Sequence, residues 1–160
     1  MFNFLKKNKA LEVVCPIAGV LTRLEDVNDQ VFSTKMMGDG FAVKPAKGVS
    51  TIFSPVDGTV VSLPESKHAV GITTEGGVDV LIHVGIDTVQ LNGKGFKTFV
   101  KQQQKLNAGD ALLEFDEAFM SKQKLDMTVM TIFTGGYDKE ITLTEDFGTA
   151  VSSKSVLLRG

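Results

Sequence analysis

The chain has 160 residues, a formal net charge of −2, 42% hydrophobic residues, 16 glycines and a single cysteine, Cys15. Its length suits one domain that buries roughly two thirds of the surface of its unfolded chain. The composition excludes a basic nucleic-acid-binding surface and an internal disulfide, and no apolar run approaches the roughly 18 residues that a bilayer span requires. We therefore expect a cytoplasmic protein with no nucleic-acid partner.

The first ten residues, "MFNFLKKNKA", combine apolar side chains with three lysines. Because no continuous apolar segment follows, they do not form a signal peptide. Two interpretations stay open, a flexible tail and a short cationic, amphipathic arm that touches anionic lipid. We predict a flexible N-terminal arm at 1–10 and one folded domain at 11–160, since no linker rich in Pro, Gly or Ser divides the rest.

Two segments repeat each other: "CPIAGVLTRL" at 15–24 and "SPVDGTVVSL" at 54–63 share a Pro-x-x-Gly spacing and matching apolar positions. Proline lacks a ladder donor and glycine weakens a strand interior, so each copy predicts a turn that leads into a strand. Glycine-containing turns separate short apolar runs along most of the chain, and helical spacing occurs only at 95–104 and 117–125. The predicted fold is all-β, a flattened antiparallel β-barrel or sandwich with an internal duplicated strand motif and only short helices.

The segment "VDVLIHVGIDTV" at 78–89 places His83 within an apolar run. Its even positions from 78 to 86 are all Val or Ile, which predicts a strand with His83 on the less apolar face. The other histidine, His68, lies in "KHAVGITT", and the intervening "EGG" at 75–77 predicts an antiparallel hairpin. A two-residue loop would place the histidines on one face, whereas a three-residue loop would place them on opposite faces. We predict the two-residue loop.

A close pair of neutral imidazoles among aliphatic side chains suits phosphoryl transfer. One ring attacks through its unprotonated nitrogen, the other donates a hydrogen bond to the transferred group, and an apolar rim protects a phosphohistidine from water. The chain lacks a GxxxxGK[ST] loop, so the phosphoryl donor is predicted to be another protein. His68 and His83 supply only two of the four ligands that zinc prefers, so a metal there requires a ligand from a partner.

The motif "GVDVLIHVGIDTV" at 77–89, preceded by "SPVDGTVVSLPESKHAVGI" at 54–72 and "VFSTKMMGDGFAVKP" at 31–45, resembles the glucose-class enzyme IIA component of the bacterial phosphoenolpyruvate-dependent sugar phosphotransferase system. The likeness runs from about residue 11 to about residue 158 and implies a flattened β-barrel or sandwich. It also implies a phosphotransferase component that receives a phosphoryl group on His83 from phospho-HPr. His68 stabilises this group, which then passes to a cysteine on the IIB domain of a sugar transporter.

The resemblance assigns supporting roles around the pair. The backbone carbonyl of Gly85 accepts a hydrogen bond from Nδ1 of His83, and the hydroxyl of Ser66, where relatives often carry threonine, contacts His68. The alternative for Gly85 is a merely tight position in the strand. The family requires no cofactor, meets the membrane only through its transporter, and in some members regulates transporters and kinases while unphosphorylated.

The resemblance further implies a docking surface for partner proteins. Asp29 and Asp87 match acidic positions that meet arginine on HPr, and Phe32, Val70 and Leu81 match the apolar surface around the site. Solvated surface charges are the alternative for the two aspartates, and a core position is the alternative for Phe32.

Two other classes fit parts of the sequence. Lipoyl and biotinyl carrier domains also contain duplicated strands, but "STKMMGDG" offers Lys35 without the expected Met-Lys-Met hairpin. A zinc peptidase of related architecture would need a third ligand. The sequence favours a freestanding phosphocarrier, and the identity of the sugar depends on the transporter.

Overall fold

The computed structural model describes residues 10–160, so the predicted arm at 1–10 lies, except for Ala10, outside the described residues. The described chain is mostly strand: β1 (Glu12–Val14), β2 (Gly19–Arg23), β3 (Asp39–Pro45), β4 (Thr51–Phe53), β5 (Gly58–Ser62), β6 (Ala69–Thr73), β7 (Asp79–Val84), β8 (Phe96–Thr98), β9 (Lys105–Leu106), β10 (Ala111–Phe115), β11 (Val129–Gly135), β12 (Ala150–Val151) and β13 (Val156–Arg159). The helical elements are short: α1 (Gln30–Ser33), α2 (Glu117–Lys122) and 3₁₀ turns at Leu24–Asp26 and Thr88–Leu91.

The strands form three antiparallel sheets. The largest has the order β12-β2-β3-β11-β7-β6-β5-β9, a second has the order β4-β10-β8, and β1 pairs with β13. This architecture confirms the predicted all-β fold with only short helices. The pair β7 and β11 lies at the centre of the large sheet, where each strand is hydrogen-bonded on both sides.

The two predicted helices have different outcomes. The segment 117–125 contains α2, whose first turn is capped by the Asp116 carboxylate accepting from the Phe119 backbone N–H at 3.0 Å. The helix predicted over 95–104 is wrong, because Phe96–Thr98 pairs with β10 as strand β8. Phe96 and Val100 are buried while Phe99 is 43% exposed, so their apparent helical spacing does not define one buried face. Sheet pairing overrides that local pattern.

The repeated Pro-x-x-Gly segments occupy equivalent places in the fold. Each forms three bends and then enters a strand at its glycine, Gly19 in β2 and Gly58 in β5. A Cβ atom at Gly19 would lie 1.9 Å from the Lys44 carbonyl oxygen, and one at Gly58 would lie 2.6 Å from the Thr73 carbonyl oxygen. The glycines therefore allow the neighbouring strand to approach closely.

The two copies also bind each other reciprocally. The Val14 backbone N–H donates to the Pro55 carbonyl at 2.8 Å, and the Phe53 N–H donates to the Pro16 carbonyl at 2.8 Å. The first side chain of each repeated segment also makes the same type of hydrogen bond. Cys15 Sγ donates to the Ile17 carbonyl at 3.0 Å, and Ser54 Oγ donates to the Val56 carbonyl at 2.7 Å. The predicted internal duplication is thus visible as matched backbone and side-chain contacts.

Apolar side chains cover both faces of the large sheet. The inward face of β7, carrying Val80, Ile82 and Val84, joins the main core. On the other face a smaller cluster supports the region around His83: Leu24, Val27, Phe32, Ala42, Ile86, Met130 and Ile132, with Leu81 packed against it. We call this set the outer cluster. Because it fills the less apolar face of β7, the site has an apolar base.

Thr131 offers a test of the core. It lies on β11 between positions that face the main core, is fully buried, and its hydroxyl has no hydrogen-bond partner among the described residues. A buried hydroxyl without a partner is costly, so Thr131→Val should raise the free energy of unfolding by about 1 kcal/mol. Urea denaturation followed by circular dichroism measures the change.

A matched substitution provides the control. Thr88 is equally buried, but its hydroxyl donates to the Val84 carbonyl at 2.6 Å, so Thr88→Val should lower the unfolding free energy by about 1 kcal/mol or more. Destabilisation by both valines would contradict the assignment of an unpaired hydroxyl at Thr131.

Candidate functional site: two adjacent histidines

His68 and His83 meet on the outer face of the large sheet. Their ring centroids are 4.9 Å apart, and the planes cross at 80° in an edge-on arrangement. The Phe32 ring of α1 packs against His83 from another side, with centroids 4.7 Å apart at 56°. Phe32 is 5% exposed, so it belongs both to the outer cluster and to the wall of the site.

The hairpin register differs from the predicted one. The loop has three residues, 75–77, because the Thr74 N–H donates to the Val78 carbonyl at 2.8 Å and Ala69 pairs with His83. The two-residue loop is therefore wrong. The histidines still share a face because His68 lies in a bend just before β6, where strand alternation no longer applies. The two histidines are therefore close together as expected, but the bend at His68, and not a two-residue loop, brings them together.

Burial controls the charge of His83. Burial first, and the neighbouring His68 second, lower the pKa of the imidazole, the Gly85 backbone and the Asp29 carboxylate act in the opposite direction, and together they bring it from 6.5 to about 4. Nδ1 is buried without a hydrogen bond of ordinary geometry, so the contact with the Gly85 backbone is weaker than a full hydrogen bond. At neutral pH His83 is uncharged, and Nε2 is its accessible nitrogen.

The hydroxyl of Ser66 contacts the ring of His68. Its Nδ1 lies 2.7 Å from the Ser66 hydroxyl, a contact that the resemblance implied. Burial also lowers the pKa of His68, so two neutral rings stand side by side at pH 7. If the hydroxyl donates to Nδ1, the ring proton lies on Nε2, where it can donate to a group bound between the rings.

Gly85 occupies a tight, left-handed position after β7. Its φ is +83°, and a Cβ atom there would lie 2.5 Å from Thr88 Cγ2 and 3.0 Å from Met127 Sδ. The Thr88 hydroxyl also binds the Val84 carbonyl, which fixes the turn that follows His83. Sequence reasoning assigned no role to Thr88, and the structure identifies it as a support of this turn.

The two predicted acidic residues differ in how they relate to the histidine pair. Asp29 is half-buried and caps α1, since its carboxylate accepts from the Val31 backbone N–H at 2.9 Å. It is close enough to His83 to raise the pKa of that imidazole. Asp87 is exposed in a left-handed conformation with φ of 59°, immediately before the 3₁₀ turn at Thr88–Leu91.

The predictions for Leu81 and Val70, the apolar residues assigned to the surface around the site, have different outcomes. Leu81 is half-buried, lies two residues from His83 on the same face of β7, and packs against the outer cluster. Val70 is fully buried, pairs with Ile82 and belongs to the main core, so its predicted place on the surface around the site is wrong. The three-residue loop explains the error, because it shifts Val70 to the inward face.

Several exposed apolar side chains lie on or next to the elements that carry Phe32 and follow Asp87, and they were not predicted as part of the site. They lie on α1, on the turn after it and on the 3₁₀ turn after Asp87: Val31, Met36, Met37 and Val89, exposed by 42%, 76%, 42% and 54%. We call this set the apolar rim. The sequence signal was an apolar segment in a polar turn, "VFSTKMMGDG". Lys35 in that segment forms ion pairs with Asp39 at 3.2 Å and Glu25 at 3.7 Å.

The described residues contain no group of three or more His, Cys, Asp and Glu side chains arranged to hold a metal ion. Within the same part of the chain, no helix is both long enough and apolar enough to cross a membrane.

The fold and site define an antiparallel β-sandwich protein centred on two adjacent, uncharged histidines. The chain belongs to the EIIA 1 family of the phosphoenolpyruvate-dependent sugar phosphotransferase system, whose family model matches residues 11–138. It is therefore a phosphotransferase-system EIIA component.

Individual relatives agree with this assignment. The glucose-specific EIIA component of Mycoplasma capricolum is 40% identical, with 86% of this chain and 88% of that protein aligned. The glucose-specific EIIA component of Bacillus cereus is 37% identical over 97% and 92% of the two chains. The solved glucose permease IIA from Mycoplasma capricolum superposes with a TM-score of 0.80 at 38% identity, covering 94% of this chain and 95% of that one. The glucosamine-specific EIICBA component of Bacillus subtilis is 42% identical over 86% of this chain but only 21% of its own length.

The depressed pKa of His83 predicts a pH dependence of stability. Between pH 6.5 and about 4 the unfolded chain binds a proton at His83 that the folded protein excludes, so stability is full above this window and falls as the pH drops through it. The expected contribution is about 2 to 3 kcal/mol between roughly pH 7 and pH 4.5. Urea denaturation across this range measures it.

The matched variant is His83→Gln, which removes the titrating group. Its unfolding free energy should fall less steeply with acid than that of the wild-type protein. Parallel curves for the two proteins would contradict burial of His83 in its neutral form.

Proposed function

We propose that this protein is a phosphocarrier in which His83 accepts a phosphoryl group from phospho-HPr and passes it to a cysteine on the IIB domain of a sugar transporter. The observation that carries the proposal is the edge-on pair of neutral imidazoles, with Nδ1 of His83 buried and Nε2 accessible. Membership of the EIIA family supports the same role.

In the first step the lone pair on Nε2 of His83 attacks the phosphorus atom of phospho-HPr. A new N–P bond forms as the N–P bond to the donor histidine breaks, and its electron pair returns to that ring. In the second step a thiolate of the IIB domain attacks phosphorus, an S–P bond forms, and the His83 N–P bond breaks. The proton stays on Nδ1 of His83 throughout, directed toward the Gly85 backbone.

His68 acts on the transferred group. Its ring edge lies beside His83, and Ser66 holds its Nδ1 at 2.7 Å. With the Ser66 hydroxyl donating to Nδ1, Nε2–H of His68 donates to a phosphoryl oxygen and stabilises its negative charge. The aliphatic and aromatic surroundings limit access of water to the phosphohistidine.

The apolar rim and the two carboxylates form the surface that partners contact. Exposed apolar side chains suit a small, transient interface, and Asp29 and Asp87 attract basic residues of HPr. Phe32 and Leu81 belong to or pack against the outer cluster and form the apolar part of the site itself. We propose that the carrier is cytoplasmic and meets the membrane only through its transporter.

The relatives described above are named as glucose-specific or glucosamine-specific components. The choice of sugar belongs to the transporter that receives the phosphoryl group. Binding of other transporters and kinases by the unphosphorylated form stays a prediction.

The catalytic proposal requires no cofactor. Zinc remains a proposal for a partner complex, where His68 and His83 would supply two nitrogen ligands and a partner carboxylate a third. Two accessible imidazole nitrogens on one face fit such a site, and the lowered pKa values keep both rings available as ligands.

Two substitutions separate the roles of the histidines. Incubation with phosphoenolpyruvate, enzyme I and HPr, followed by alkaline mass mapping, should place the phosphoryl group on residue 83. His83→Gln should accept none, because the nucleophile is gone. His68→Gln should accept it but deliver it to the IIB domain roughly 100-fold more slowly, the scale of losing one donor to a developing charge.

Both variants should keep the wild-type circular dichroism spectrum, which controls for folding. Phosphate on a residue other than His83 would overturn the assignment of the nucleophile. Normal delivery by His68→Gln would overturn the division of roles.

A further inference from the structure

The position of His68 conflicts with the register of its strand. Ala69 pairs with His83, and the Val84 N–H donates to the His68 carbonyl at 2.7 Å, so His68 lies opposite Val84. A regular strand would direct the His68 side chain to the face of Val84, which is fully buried in the main core. Instead the His68 ring lies against His83 on the outer face. The backbone before Ala69 must therefore leave the strand path.

The departure occurs at Lys67. Its φ is +58°, a left-handed conformation, and it is followed by the bend at His68. The Lys67 N–H donates to the Pro64 carbonyl at 3.0 Å, which closes a turn over 64–67. The turn thus ends in a left-handed residue that redirects the chain immediately before the sheet begins.

The same turn rests on the segment that continues from β7. A Cβ atom at Gly93 would lie 3.1 Å from the Glu65 carbonyl oxygen and 3.6 Å from Lys67 Cδ, so the turn passes close above this glycine. Gly93 follows the 3₁₀ turn at Thr88–Leu91, which itself follows His83 by a few residues. The turn that carries His68 is therefore supported by the chain that carries His83.

We propose that Lys67 is a positioning residue for phosphoryl delivery, and that its left-handed backbone, rather than its ammonium group, turns the His68 ring toward His83. The consequence for delivery rests on the proposed function. The Lys67 side chain is exposed, its stem passes near Gly93 and its ammonium group makes no ion pair with the described residues, so we assign the positioning role to the backbone. Glycine and asparagine adopt this conformation readily, whereas a β-branched residue strongly resists it.

Three variants of Lys67 distinguish a role of its backbone conformation from a role of its side chain. Lys67→Gly and Lys67→Asn both remove the ammonium group but permit the left-handed conformation, so both should deliver the phosphoryl group to the IIB domain at nearly the wild-type rate. Lys67→Val should slow delivery about tenfold or more, the scale expected from forcing a β-branched residue into that region, while His83 still accepts from phospho-HPr.

A second valine controls for strain alone. Lys154 is also left-handed, with φ of 69°, but lies in the turn between β12 and β13, with its ammonium group over the Phe53 ring. Lys154→Val should lower the unfolding midpoint, as Lys67→Val does, without slowing delivery.

A structural readout keeps the inference separate from the proposed function. Nuclear Overhauser contacts between the two imidazole rings should persist in Lys67→Gly and Lys67→Asn and disappear in Lys67→Val. If ring contacts and delivery are unchanged in Lys67→Val, the inference is overturned. If the glycine and asparagine variants fail like valine, the side chain and not the backbone is responsible, which also overturns it. Absence of phosphoryl transfer in the wild-type protein would overturn the proposed function, while the ring contacts would still decide how His68 is positioned.

Discussion

The site depends on keeping a histidine partly out of water on the outer face of a sheet. A polar ring at the centre of an open β-sheet would normally be solvated and would titrate near neutrality. Two rings prevent this, because Phe32 of the outer cluster covers one side of His83 and the His68 ring covers another. The result is an imidazole that is neutral at pH 7.

The surroundings of His83 shift the pKa of its ring in opposite directions. Burial and His68 disfavour its protonated form, while the Gly85 backbone and Asp29 favour it. Burial and His68 have the larger effect, so the imidazole of His83 is uncharged at neutral pH. Phe32, which packs against His83, is adjacent in α1 to Val31 of the apolar rim. The same short helix therefore carries a wall of the site and part of that exposed surface.

Much of this arrangement follows from local sequence. Alternation along β7 predicted which face carries His83, and the paired Pro-x-x-Gly segments predicted matching turns, because both signals depend on near neighbours. The loop length was wrong, since "TTEGGV" suits two-residue and three-residue turns alike, and that error misplaced Val70. The helix expected at 95–104 failed because its apolar spacing could not reveal pairing with β10.

Other features left no sequence signal. α1 spans only four residues, too few to show a helical period, yet it brings Phe32 to His83. Lys67 is left-handed although lysine has no preference for that conformation, so only tertiary structure reveals how His68 turns outward. Both features depend on contacts between segments that are distant in sequence, which a strand pattern does not encode.

The most direct test of the account is a long-range proton–nitrogen correlation spectrum of ¹⁵N-labelled protein phosphorylated by phosphoenolpyruvate, enzyme I and HPr. We predict one new phosphorus-coupled nitrogen, Nε2 of His83, with the ring proton retained on Nδ1. Phosphorus coupled to Nδ1 of His83, or to either nitrogen of His68, would contradict it.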